Sequence, residues 1–262
     1  MSNIKLMENR YNQYLNDYKN CWLDRFTWKG MFGDTPKHSI SIVNFAKQTA
    51  FLDNIPIVSN AVDFHKKINN LSDQYIKWVI GIDNSYTQEE LEDIKNFFLG
   101  AIGEYFFVFL LTENKRILIK TANNGKLQNY DFNYIAPRLK GEYDVGVDLT
   151  GVLSYGQELH NCVLQVKFWN PFIDTPITNK IIQGIHSDAI CNNFIDNNEN
   201  NNIIVCWLGN TQNVSKYLVA NKLLYKHIIF IDNNALDNSI NYQNKLFWMK
   251  LNDALKDIKT FK

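Results

Sequence analysis

Hydrophobic and polar positions along this chain repeat with two different periods, and the texture changes near residue 87. Residues 1–86 mix polar, aromatic and short helical patterns. Within them, 60–80 predicts an amphipathic helix, with Val62, Ile68, Leu71, Tyr75 and Val79 at roughly helical spacing. Residues 29–36 carry Gly30, Gly33 and Pro36 and predict a loop. At Thr87 a capping box, closed by Glu90, precedes an apolar-periodic run. That run predicts a helix to about Leu111, with Leu91, Ile94, Phe97, Ala101 and Val108 on one stripe. A strand is expected over 114–120, then an irregular Asn/Gly/Lys segment. Residues 145–153 and 161–169 read as two strands flanking a turn at Gly156. A helix over 175–195, a buried strand over 202–208, a helix over 213–225, a strand over 226–231 and an amphipathic helix over 250–259 complete the pattern. No internal repeat is present.

Composition narrows the class. With 27 Lys+Arg against 27 Asp+Glu, the chain has no net charge, so any contact with nucleic acid must be a local patch. Hydrophobic residues at 45% give enough apolar surface for a globular fold. No uninterrupted apolar run approaches the roughly 18 residues of a spanning helix. The opening segment, Met1 to Met7, has no apolar signal core. The expected compartment is the cytoplasm, without a membrane role. Cys21, Cys162, Cys191 and Cys206 are dispersed and form no CxxC pair, and the five histidines are scattered, which argues against structural zinc. The Asn-rich stretch 192–202 reads as a solvated loop.

Four residues are candidates for chemistry. Glu104 falls on the apolar stripe of the 87–111 helix, where a carboxylate is costly unless paired or bound to a cation. The alternative is a glutamate at the stripe's edge, reaching solvent. Asp148 follows Gly146 and Val147 within an apolar alternation, and Gly146 and Gly151 permit close approach of another group. The alternative is a strand-end aspartate. Gln165 and Lys167 share one face of their strand with Val163, whereas Leu164, Val166 and Phe168 face the core. The alternative there is the polar outer face of an edge strand. Phosphate loops, GxGxxG turns, HExxH and GxSxG motifs are absent, so an ATP-driven motor is not encoded.

A helical Glu, a strand Asp and a strand Gln-x-Lys, in this order, resemble the PD-(D/E)XK nuclease superfamily. The pairing of Gly146-Val-Asp148 with Gln165-Val-Lys167 resembles its Mrr-like restriction endonuclease branch. The resemblance spans about residues 90–236 and leaves the first third of the chain unmatched. It implies an α/β fold with a restriction-endonuclease-like core, a mixed central sheet flanked by helices, over 87–262. Residues 1–86 would be a helical or irregular N-terminal extension.

The implied activity is metal-dependent hydrolysis of DNA phosphodiester bonds, with a role in restriction or antiviral defence. Mg²⁺ or Mn²⁺ would be held mainly by Asp148, with the amide oxygen of Gln165 and with Glu104 binding the metal or its water. Asp144 is a second candidate carboxylate. Lys167 would stabilise the attacking hydroxide or a non-bridging phosphate oxygen. Lys115, Arg116, Lys120, Lys126, Arg138 and Lys140, interleaved with aromatics, form a candidate nucleic-acid surface with Trp169; ordinary solvated lysines are the alternative. Duplex cleavage favours a homodimer. Gln165 in place of an acid also fits a degenerate, non-catalytic binding protein. It fits equally a nuclease subunit that a partner protein activates, the partner supplying sensing or ATPase function.

Overall fold

The computed structural model describes residues 3–29, 40–52, 58–113, 116–120, 127–139, 142, 146–168, 179–194, 202–208, 228–231 and 243–258. The chain forms a mixed α/β fold around one six-stranded sheet in sequential order. The strands are β1 (Arg116–Lys120), β2 (Leu127–Pro137), β3 (Leu149–Tyr155), β4 (Glu158–Phe168), β5 (Asn202–Leu208) and β6 (Ile228–Ile231). β1 to β4 pair antiparallel, and β5 and β6 join parallel to β4. A short turn at Gly156, with φ of +63°, joins β3 to β4. The parallel half needs a crossover. The helix α6 (Asn179–Cys191) lies in the connection between β4 and β5.

Helices α1 (Asn3–Asn16), α2 (Tyr18–Arg25), α3 (Ile42–Thr49), α4 (Ala61–Ile82) and α5 (Gln88–Glu113) precede the sheet, and α7 (Gln243–Asp257) closes the chain. In α1, Met7, Arg10 and Tyr14 recur at helical spacing and are buried. In α4, Asn60 caps the N-terminus by accepting from the Asp63 N–H at 2.9 Å. Phe64 rather than Val62 leads its buried stripe, which continues through Ile68, Leu71, Tyr75 and Val79.

The capping box of α5 is formed. The Thr87 N–H donates to Glu90 Oε2 at 2.7 Å, and the Glu90 N–H returns to Thr87 Oγ1 at 3.2 Å. From Ala101 to Leu111 every residue of α5 except Glu104 is buried. A helix apolar on all sides belongs in a core. Among the described residues α5 is the one helix with the length and mean hydropathy (1.5 in its most apolar stretch) of a spanning segment, and 67% of that stretch is packed inside the fold.

One hydrophobic core takes residues from both sides of position 86, from Tyr14 and Trp22 through Phe64 and Phe106 to Trp248. Alternation along β4 places α5 and α1 on opposite faces of the sheet. Gly103 of α5 lies against Phe168, so that a Cβ there would meet the ring atoms at 3.1 Å. Arg10 of α1 donates from Nε to Thr150 Oγ1 at 3.1 Å, and Thr150 pairs with Val163.

Three expectations are corrected. The segment expected to be irregular contains β2, an eleven-residue strand. Its alternation, Tyr130 and Phe132 in and Asn129 and Asn133 out, breaks at a bulge where Tyr134 has φ of +54°. The edge-strand alternative for β4 fails, because β4 has a neighbour on each side and is buried from Asn161 to Val166. The last helix begins at Gln243, seven residues before the expected start, since Phe247 and Trp248 join the core. The expected helix over 213–225 lies outside the described residues.

Candidate active site

The site is built where β3 and β4 leave the middle of the sheet. Asp148 immediately precedes β3, and its N–H donates to the Leu164 carbonyl at 2.9 Å. The paired register begins with Leu149 opposite Leu164, and Asp148 stands just before it, one step out of that register. The Gln165 amide Nε2 donates to Asp148 Oδ2, and the Val166 N–H donates to the same oxygen at 2.7 Å. Both bonds fall on Oδ2. Gln165 is 6% exposed, and Lys167, two residues on along the same face, is half-buried.

Glu104 reaches the same place from α5. Its Oε2 accepts from Arg25 Nη1 at 2.8 Å. Burial lifts its carboxyl to about 7, with Asp148 adding to the rise and Arg25, Arg138 and Lys167 pulling against it. Asp148 is likewise raised, first by burial, against the stabilising Val166 N–H and the charges of Lys167 and Arg25. These mutual influences bring Glu104, Asp148, Gln165 and Lys167 into one electrostatic neighbourhood.

Arg25 and Arg10, from the first two helices, carry no motif and were invisible to the sequence reading. Arg25 also donates from Nη2 to the Arg138 carbonyl at 2.8 Å. Arg10 is ion-paired with Glu142, whose Oε2 accepts from the Leu139 N–H at 2.7 Å. Arg138 sits at the end of β2, with its N–H on the Asp148 carbonyl at 3.0 Å. Its side chain faces Arg25, Glu104 and Asp148, and burial lowers its pKa. Asp188 of α6 was also missed. It is 1% exposed, and its Oδ2 accepts from the Gly146 and Val147 N–H groups.

The rest of the expected nucleic-acid surface is placed as follows. Arg116 and Lys120 lie on β1, two strands from β3. Lys115, Lys126, Lys140, Trp169 and the candidate ligand Asp144 lie outside the described residues. Among the described residues no three His, Cys, Asp or Glu side chains cluster for a metal. A cation here would rest on Glu104, Asp148 and the Gln165 amide. A groove of about 370 Å³ between α4 and α5, lined by Asp73, Ile76, Lys77, Leu91 and Lys95, contains no residue of this site.

No protein-family model, curated protein or solved structure matches the chain.

Proposed function

We propose that the chain is a metal-dependent endonuclease of the PD-(D/E)XK type that hydrolyses DNA phosphodiester bonds in the cytoplasm. The observation that carries this reading is the convergence of two half-buried carboxylates, Glu104 and Asp148, with Gln165 and Lys167 beside the middle of a mixed sheet. Two further features support it. The element order is helix, antiparallel strands, helix, parallel strand. The Gln-x-Lys pair also lies on the strand whose Gln165 amide and Val166 N–H bond the aspartate.

The donor set fits Mg²⁺. That ion takes oxygen ligands and keeps several waters, so two carboxylates and an amide oxygen suffice. Gln165 would turn its amide to present Oε1, and Asp148 would use Oδ1. When bound, the metal lowers the pKa of a coordinated water and offsets phosphate charge. Asp148 would hold the ion, Glu104 would orient water from α5, and Lys167 would offer a compact positive charge to the phosphate oxygens. Arg138 would hold a neighbouring phosphate. One site per strand of a duplex calls for a homodimer.

One observation favours a second reading. Glu104 already has a cation, Arg25, so the site holds much of its charge balance without a metal. That suits a nuclease subunit that a partner chain must activate, or a binding protein with a quiescent core. Plasmid digestion by the purified chain with Mg²⁺, Mn²⁺ or EDTA tests the proposal. Nicking or linearisation that EDTA abolishes is expected. Intact plasmid with either metal and with DNA bound would replace the catalytic reading with the second.

A further inference from the structure

Asp188 has no place in the chemistry described so far, yet it is a carboxylate buried to 1% exposure beside the segment that carries Asp148. Every polar contact of its side chain is internal. Oδ2 accepts from the Gly146 N–H at 2.9 Å and from the Val147 N–H at 2.7 Å. Oδ1 accepts from Asn192 Nδ2 at 2.8 Å. Among the described residues both oxygens are thus engaged by the protein, Oδ2 by two backbone N–H groups and Oδ1 by Asn192. The two N–H groups it holds precede Asp148 by one and two residues, before the β3 ladder begins, so no strand partner fixes them. A second contact acts at the same point. Gly146 lies against the α6 backbone so closely that a Cβ would stand 3.2 Å from both Gly184 C and Ile185 N.

We infer that Asp188 is a positioning residue that docks the Gly146–Val147 segment onto α6 and so aims the Asp148 carboxylate at Gln165 and Val166. The inference rests on the nuclease reading and deepens it. α6, the crossover between β4 and β5, supplies the orienting group for the principal metal ligand. Without the clamp, the backbone before Asp148 gains freedom, and the carboxylate samples orientations in which Oδ2 does not meet the Gln165 amide and the Val166 N–H. Groups that orient a metal ligand without touching the metal typically set affinity by about 10–100-fold.

The test is Mn²⁺ binding to the full chain, followed by the electron paramagnetic resonance of the free ion, with urea unfolding run on the same samples. Asp188→Ala is expected to weaken Mn²⁺ binding by about tenfold or more while the protein remains folded. Asp188→Asn keeps one acceptor oxygen and is expected to recover most of that loss. Gly146→Ala, which crowds the α6 backbone and shifts the segment while keeping the Asp188 side chain, should weaken binding in the same direction. A structural role alone would lower stability and leave the Mn²⁺ affinity of the folded protein unchanged. Wild-type affinity in Asp188→Ala overturns the inference. If that variant does not fold, wild-type affinity in both Asp188→Asn and Gly146→Ala overturns it. Absence of Mn²⁺ binding by the wild type is a different result, which removes the nuclease reading together with the positioning role.

Discussion

The clearest physical consequence of the site is a stability that falls as pH rises. Glu104 is held near 7 in the folded chain, against an ordinary 4.5. Between those values the folded state keeps a proton that the unfolded state has released. Unfolding then releases protons, and stability decreases with pH. The contribution is complete below about pH 4.5 and is lost as pH rises through about 7. At about 1.4 kcal/mol per tenfold change in proton activity, the difference amounts to roughly 3 kcal/mol. Asp148 is shifted in the same direction and steepens the slope. Arg25 stays protonated throughout, so its pairing adds no slope of its own.

Glu104→Gln removes the titrating group and also relieves Asp148 of a like charge. The assay is urea unfolding of metal-free wild type and variant at several values between about pH 5 and about pH 8. The wild type should lose roughly 3 kcal/mol relative to the variant across that range. Parallel curves for the two proteins would refute the claim that Glu104 is a buried, proton-binding carboxylate.

Two further outcomes are expected. Lys167→Ala should abolish plasmid cleavage while DNA affinity, measured by filter binding, changes little, because one charge near the phosphate acts chiefly on the transition state; cleavage at the wild-type rate would remove Lys167 from the mechanism. Gly151→Ala should destabilise the chain by about 1–3 kcal/mol in urea, since the new Cβ would stand 2.3 Å from Ile135 Cδ1 and 3.1 Å from the Asn133 carbonyl beside the β2 bulge. Unchanged stability would mean the bulge can shift away from β3.

Legibility in the sequence followed the strength of local signals. The α4 helix and the start of α5 were plain because a capping residue and a periodic apolar face coincide at each. β4 and β5 were plain as dense apolar runs. β2 was not, because its tip is rich in Asn and Gly and its alternation is broken by the bulge at Tyr134. Glu104, Asp148, Gln165 and Lys167 could be singled out, since each is polar inside an apolar pattern. Arg10, Arg25 and Asp188 could not. Arginine on a short helix and aspartate on an amphipathic one are ordinary surface patterns, and only the tertiary fold buries them. The packing of residues 1–86 into the same core was likewise unreadable, because contacts such as Trp22 with Tyr105 at 4.7 Å join elements far apart in sequence.

The charges around Glu104 bear on how a metal would enter. Arg25, Arg138 and Lys167 face Glu104 and Asp148, so three cations meet two carboxylates when all are ionised. Asp188 also acts on Arg138, which brings the set close to neutrality. With Gln165 where an acid would add a further negative charge, this site attracts a divalent ion less than a carboxylate triad would. It is also less repulsive to a phosphodiester than a triad would be. A cation has two ways to be held. It can displace Arg25 from Glu104 and use both carboxylates, or it can sit on Asp148 Oδ1 with waters while the Arg25–Glu104 pair stays closed. In the first case Mg²⁺ competes directly with protons for Glu104 and flattens the pH dependence of stability. In the second Glu104 keeps its proton equilibrium, and most of the slope survives metal. The second arrangement leaves α2, through Arg25, controlling whether Glu104 takes part, so an N-terminal segment without a sequence motif would set the activity of the site.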